Sequence, residues 1–484
     1  MQVENNTLHQ TPFVCQENIH STPSFPALLP LHGYHYRLSI TAPSWTLPAF
    51  ATHVISLPAE LIDMIQAFCT HNDLLSLTSV NKAALATRFS NPRLQKLSFK
   101  TVQDTEQFLS YCQTSQERET QELVLEEGQK SQRSKTASSF DPTMRFTLFT
   151  REQLQAVEAL TLTISDQFTA EQYDLLFTYL PGIKRLTIHS ITLAGSPLAS
   201  SLSPLFKAAQ RLTLYHLAIN NLSSLTEEFA EDNLPDELWQ FTTLETLTIR
   251  DFMHIVSIPE EIGQLRALKS LTLNCLYELK ALPASIWQLG KLESLTLKNL
   301  YSITALPEAM GQLRSLKSLE LSGLSKLEIF ASIGQLNKLE ALTLKHLDIT
   351  ALPEEMDQLR ALKSLTLQSM RSLRKLPASL GQLDKLEALT LKGLNFFTLS
   401  EKMGQLKALK SLTLDDLRFL RKLPASLGQL DKLEVLILRD LECIDALPEE
   451  MGQLNALKIF KLIDMYPTLP EKLAQIAGIE ESTP

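Results

Sequence analysis

The chain has 484 residues, 44% of them hydrophobic but only 7% aromatic, which suits a soluble protein with an aliphatic core. Its 45 basic and 54 acidic residues give a formal charge of −9 with no Lys/Arg-rich block, which argues against nucleic-acid binding. No apolar run approaches the ~20 residues of a membrane span, and the N-terminus lacks the pattern of a secretory signal. The five cysteines, Cys15, Cys69, Cys112, Cys275 and Cys443, are scattered and form no CxxC pair, so reduced thiols and a cytosolic setting are expected.

Residues 1–50 are proline-rich (HQTPF, PSFPALLP, TAPSWTLP) and show no periodicity, so an extended or disordered segment is expected. Residues 51–92 differ. LPAELIDMIQAF (57–68) opens with the letters of a phrase that recurs later, such as LPASLGQLDKLEAL (376–389). The later leucine positions, however, would fall on Ala67, Thr70 and Asn72, so this is not a copy. Leu57, Leu61, Ile65 and Phe68 instead recur every three or four residues, an apolar stripe on a helix that Ser56 caps. His71-Asn72 reads as a turn, and Asp73 caps a second helix carrying Leu74, Leu75, Leu77 and Val80.

From residue 93 onward, strand words of the form Leu-x-Leu appear. LQKLSF (94–99), TQELVL (120–125), VEALTL (157–162), IKRLTI (183–188), AQRLTL (209–214) and LETLTI (244–249) predict six strands at irregular spacing across 93–233 and its boundary. EEGQKSQRSKTASSF (126–140) and NNLSSLTEEFAEDN (220–233) read as polar insertions. Residues 234–468 then repeat with a period of 23–24, the glutamine of GQL falling at Gln264, Gln288, Gln312, Gln335, Gln358, Gln382, Gln405, Gln429 and Gln453. Each copy reads LP-xx-(L/I/M)-GQL-xxL-xxL-xL. The final L-x-L places two side chains on one strand face, and the leucines three apart before it curl the connection back over the same core. One such unit cannot bury its own leucines, but stacked units can. Residues 469–484 are expected to form a terminal cap and tail.

Three features of the array bear on binding. The position after the third core leucine alternates Glu245, Lys269, Glu293, Lys317, Glu340, Lys363, Glu387, Lys410, Glu434, Lys458, either a recognition stripe or a set of inter-repeat ion pairs. At strand ends, Lys298, Lys345 and Lys392 recur every second repeat, with Arg439 following. They either face an acidic partner or are solvated lysines copied with a two-repeat unit. Tyr277, Tyr301, Phe396, Phe397 and Phe419 are candidate binding anchors, all but Phe396 assigned to the candidate site, with packing under the loops as the alternative. The strand centres, mostly threonine, read as scaffold. No P-loop, GxGxxG, HExxH or GxSxG context occurs, and His32 with His35 lacks further ligands, so neither catalysis, cofactor nor metal is expected.

The repeats resemble the leucine-rich-repeat (LRR) family. That resemblance implies an α/β solenoid, a horseshoe of about 15 short parallel strands, here preceded by a small α-helical domain. Residues 57–85, LPAELIDMIQAFCTHNDLLSLTSVNKAAL, are similar to the F-box, matching it at Leu57, Pro58, Glu60, Leu61, Ile65, Asp73, Leu74, Leu75, Leu77, Val80 and Lys82 and differing at Gln66, Cys69 and Ala84. This resemblance implies that Leu57, Pro58, Ile65, Leu74, Leu75 and Val80 dock on a Skp-type adaptor of a cullin-RING ubiquitin ligase. The repeats would then hold a protein substrate, and the chain would be monomeric outside that complex. The alternative is an LRR scaffold without a ubiquitin connection, its N-terminal helices capping the solenoid. The LP-xx-LGQL copies resemble bacterial and plant repeats. Together with the F-box-like segment they are similar to effectors that bacteria deliver into the host cytoplasm.

Overall fold

A step of three residues builds each regular repeat. In one copy the Leu380 amide donates to the Pro377 carbonyl, Leu383 to Leu380, and Leu386 to Leu383, each at 3.2 Å. Such i to i+3 bonding is a 3-10 coil in which residues three apart eclipse, so the leucines of that register all turn inward. Pro377 opens the coil with φ at −62°, the value its ring already fixes. Leu389 and Leu391 follow on a strand and are 1% and 0% exposed. The inward-curling leucines of the connection and the alternating leucines of the strand thus meet in one core.

The structure is a computed structural model that describes residues 25–31, 34–40, 96–99, 102–108, 110, 154–165, 168–191, 198–221, 233–327, 331–465, 467–474 and 479–482. The chain divides into two units, Met1–Pro92 with Leu148–Thr150, and Arg93–Thr147 with Arg151–Pro484. In the first unit, β1 (Phe25–Leu31) and β2 (Tyr34–Ile40) pair antiparallel, from Phe25 opposite Ile40 to Leu31 opposite Tyr34. This hairpin falls in the segment expected to be extended or disordered. The F-box-like residues Leu57, Pro58, Ile65, Leu74, Leu75 and Val80 lie outside the described residues.

The second unit is a leucine-rich-repeat solenoid. Its early strands are β3 (Lys96–Ser98), β4 (Ala159–Ser165), β5 (Arg185–Ile191), β6 (His216–Asn221) and β7 (Thr246–Arg250). The regular repeats give β8 (Ser270–Asn274), β9 (Ser294–Lys298), β10 (Ser318–Ser322), β11 (Ala341–Lys345) and β12 (Ser364–Gln368). They continue as β13 (Ala388–Lys392), β14 (Ser411–Asp415), β15 (Val435–Arg439) and β16 (Ile459–Ile463). Together with β17 (Ile479–Ser482) these form one open sheet of 15 strands in chain order, every neighbouring pair parallel. Helices α1 (Ala170–Tyr179) and α2 (Leu198–Ala209) connect early strands, whereas five-residue 3-10 turns serve all the regular ones. The longer irregular repeats have residues enough for an α-helical return; 23–24 residues have not.

Among the described residues the sheet has 15 strands, the number expected, but its membership differs. TQELVL (120–125) lies outside the described residues. The strand expected at 209–214 sits instead at β6, because RLTLYHLAI contains two strand words in succession, Leu-Thr-Leu and Leu-Ala-Ile. α2 runs to Ala209, and Leu212 donates back to its carbonyl at 2.8 Å, closing a turn. Pairing with β5 therefore selects Leu217 and Ile219, opposite Leu186 and Ile188. After α3 (Glu471–Ala474), β17 adds a strand to the tail that repeat spacing does not predict.

The repeats also alternate in a way that joins each to the next. At three of the four joints where a PE-type turn (Ser400-Glu401 in one copy) precedes a PAS-type turn, a glutamate caps the following turn: Glu260 accepts from the amides of Ala284 (3.0 Å) and Ser285 (2.8 Å), and Glu401 from Ser426 (3.0 Å). Glu354 makes the same, longer contact with Ser379 at 3.4 Å. Where a PAS-type repeat precedes a PE-type one, the contact is an ion pair: Lys317 with Glu293, Lys363 with Glu340, Lys410 with Glu387 and Lys458 with Glu434, all at 2.7–2.9 Å. Turn amides unsatisfied by their own coil thus receive a carboxylate from the preceding repeat.

Two expected outcomes test this packing. Leu389→Ala removes a core side chain and lowers stability by about 2–5 kcal/mol, read by denaturant unfolding; a loss near zero would mean that the register of the core is different. Backbone amides donating to Glu260 and Glu401 hold both carboxyls below the usual glutamate range. Their contribution is therefore complete above the unfolded value of about 4.3 and is lost as pH falls through the lower folded value. Glu401→Gln should flatten the acid limb of a thermal-melt pH series while leaving the neutral-pH fold intact.

Candidate protein-interaction site

Register stacks equivalent residues into rows across the sheet. The row at strand centres reads Thr272, Thr296, Glu320, Thr343, Thr366, Thr390 and Thr413. The row at the last strand position carries Asn274, Lys298, Ser322, Lys345, Gln368, Lys392, Asp415 and Arg439. The candidate lysines and Arg439 therefore do share one edge. The charges of the three lysines are already engaged, however. Glu320 interrupts the threonines between two lysines, 2.9 Å from Lys298 Nζ and 3.4 Å from Lys345 Nζ. Lys392 lies 2.7 Å from the largely buried Asp415 carboxylate. The guanidinium of Arg439 keeps its Nε buried with no hydrogen-bond partner. The sign of Glu320 was visible in the sequence; its position between two lysines needed the register.

Immediately beyond this row, the chain turns sharply in every repeat from β7 to β16. Asp251, Cys275, Asn299, Gly323, His346, Ser369, Gly393, Asp416, Asp440 and Asp464 all take positive φ, between 50° and 68°. This left-handed region favours Gly, with Asn and Asp the best tolerated alternatives. Each turn lets one more amide continue the sheet ladder, as Asn299 does to the Ser322 carbonyl at 2.7 Å and Gly393 to Asp415 at 2.8 Å. Small polar side chains consequently line the strand exits. Asn299 Nδ2 reaches Asn274 Oδ1 at 3.3 Å and Cys275 Sγ at 3.4 Å, a network the sequence reading missed although the Asp/Asn/Gly column could have signalled it.

The four candidate aromatics sit just after these turns, and the repeat offset brings them together in pairs. Tyr277 and Tyr301 stack with centroids 5.2 Å apart and planes at 22°. Phe397 and Phe419 lie 5.9 Å apart at 45°. Tyr301, Phe397 and Phe419 are 45%, 49% and 48% exposed, so the alternative of packing beneath the loops fails for these three. Phe396, also singled out in the sequence, is turned inward at 0% and so packs in the core instead of serving as an anchor. Tyr277 is half-buried, and the adjacent Cys275 thiol together with burial pushes its phenol up to about 12. Asp440, desolvated and facing Asp464, Asp415 and Asp416, is held above the ordinary aspartate range.

Among the described residues, no group of three or more His, Cys, Asp or Glu is placed to hold a metal, and no helix is long and apolar enough to cross a membrane. What the edge offers is apolar ring surface beside fixed charge, the makings of a protein contact.

Comparison with known proteins agrees at the level of the repeat. Residues 216–345 match the family described as leucine-rich repeat region. Among solved structures, the chain is similar to a leucine-rich-repeat protein of Leptospira interrogans, with 24% identity, 82% of this chain and 98% of that one covered, and a TM-score of 0.42. It is also similar to the Toll–Spatzle complex of Drosophila (18% identity, 68% and 46% covered, TM-score 0.49). The leucine-rich-repeat domain of the type III effector XopL is a further neighbour (26% identity, 50% and 74% covered, TM-score 0.31). No curated protein sequence matches the chain significantly.

The central role of Glu320 gives a direct test. Glu320→Lys would set three like charges side by side on β9, β10 and β11 and lower stability by about 1 kcal/mol. A thermal melt in low salt should show the loss, and added salt should shrink it.

Proposed function

We propose that this chain is a recruiting adaptor: the strand-exit edge of its leucine-rich-repeat solenoid binds a partner protein, and residues 51–92 carry that partner to a ubiquitin ligase. The first half rests on one observation. Beside strand-end lysines already paired with Glu320 and Asp415, two aromatic pairs line the same edge, with Tyr301, Phe397 and Phe419 exposed. Exposed rings cost solvation and are worth keeping where another surface will cover them.

The second half rests on the gap-free F-box pattern of residues 57–85. In this reading Leu57, Pro58, Ile65, Leu74, Leu75 and Val80 form the apolar face that enters a groove on a Skp-type adaptor of a cullin-RING ligase. The substrate held by the repeats is then ubiquitinated by the assembled enzyme, and no catalytic step is assigned to this chain. Its site of action is the cytosol of a eukaryotic cell. The bacterial-type repeats support delivery there by a bacterium.

A pull-down of the full chain with purified Skp-type adaptor separates this from a scaffold with no ubiquitin connection. Capture is expected, and Leu74→Asp or Val80→Asp should abolish it while circular dichroism is unchanged. No capture by the intact chain would sink the ligase half of the proposal and leave the scaffold reading.

A further inference from the structure

Around Phe397 and Phe419 the charge of the molecule reverses. The loop after β12 carries Arg371, Arg374 and Lys375, and the loop after β14 carries Arg418, Arg421 and Lys422, all six exposed. The loop between them, after β13, has no charged residue and presents Phe397. Direct contacts show that the three loops form one surface. Asn395 Nδ2 donates to the Arg371 carbonyl at 2.9 Å, the Arg421 amide meets the Phe397 carbonyl at 3.4 Å, and the two rings touch. Across residues 369–376, 393–400 and 416–423 there are six basic side chains against one acidic, Asp416, in a chain whose formal charge is −9.

These cations differ from those of the neighbouring strand ends. Arg418 is held by Asp416 at 2.6 Å and by Glu442 at 3.8 Å. Among the described residues, Arg371, Arg374, Lys375 and Arg421 enter no ion pair, and Lys422 makes none at contact distance, though it lies near enough to Glu401 to help hold that carboxyl low. By contrast, the ladder lysines Lys317, Lys363, Lys410 and Lys458 are matched by carboxylates. Here two rings half-open to solvent lie between two sets of unmatched guanidinium and ammonium groups.

We infer that this Phe397/Phe419 patch binds an acidic peptide segment of the partner protein, one in which carboxylates flank an apolar side chain. The apolar residue would cover the two rings, and its acidic neighbours would reach the arginines on either side, where planar guanidinium groups can grip a carboxylate through two hydrogen bonds. A nucleic acid also offers anions and flat rings, but the net negative charge of the chain opposes a long polyanion and leaves only the local island attractive. The inference rests on the partner-binding half of the proposed function and is independent of the ligase half.

An array of peptides about 12 residues long, with Asp or Glu alternating with Phe, Leu, Tyr or Val, provides the probe. The same peptides with Lys replacing the acids, and a single-stranded oligonucleotide, accompany it. The full chain should bind members of the acidic set and none of the basic set, more weakly as salt is raised. Phe397→Ala with Phe419→Ala, and separately Arg371→Glu with Arg421→Glu, should each weaken binding by about tenfold or more with unchanged circular dichroism. These side chains are exposed, so the core is untouched. Silence across the acidic set, equal binding of the basic set, preference for the oligonucleotide, or full affinity in either folded double variant would each overturn the inference. Failure of Skp-type capture with acidic-peptide binding intact would sink the ligase half alone.

Discussion

A leucine in this array has nowhere to be buried except against the repeat before it and the repeat after it. Leu389 stands between Leu365 and Leu412 in the sheet, and the same holds for Leu391 between Leu367 and Leu414. Each copy contributes only a thin layer of core, so the stability of one is set by its neighbours. Everything else follows from keeping successive layers in register. The proline-started coil returns the chain in few residues, and the strand hydrogen bonds lock adjacent copies. The left-handed residue at each exit carries that ladder one amide further before the chain leaves the sheet.

Much of this was legible because the period is short and the leucines are nearly invariant from copy to copy. The spacing of GQL alone located β8 to β16. It failed where two words compete, as at RLTLYHLAI, since only pairing with β5 selects between Leu212/Leu214 and Leu217/Ile219. The alternation of Glu and Lys was equally plain. Its mate was not: the glutamates of the PE-type turns look like surface charges in the sequence, and only the geometry joins Glu260 to the amides of Ala284 and Ser285.

The candidate site shows the same division. Tyr277, Tyr301, Phe397 and Phe419 could be singled out one by one, but that they form two pairs depends on a repeat offset acting through loops of slightly different length. Lys298, Lys345 and Lys392 could be placed on a common edge, yet their partners Glu320 and Asp415 belong to neighbouring strands and reduce what a ligand would gain from them. Exposed ring surface therefore lies off the threonine-rich sheet, on the loops past the strand ends, where side chains are not required to stack.

The alternation of the joints between repeats has a consequence for how such a chain can change its length. One kind of joint is made by a glutamate reaching turn amides, the other by a lysine meeting a glutamate, and the two kinds alternate along the array except after Glu308, where the carboxylate makes no such bond among the described residues. Loss of a single copy would bring two repeats of one type together, setting like charges opposite each other and stranding a turn without its carboxylate. Loss or gain of two copies would restore both joints unchanged. Duplication in doublets is thus the step that the physical chemistry tolerates, and lineages of this array should differ in even numbers of repeats.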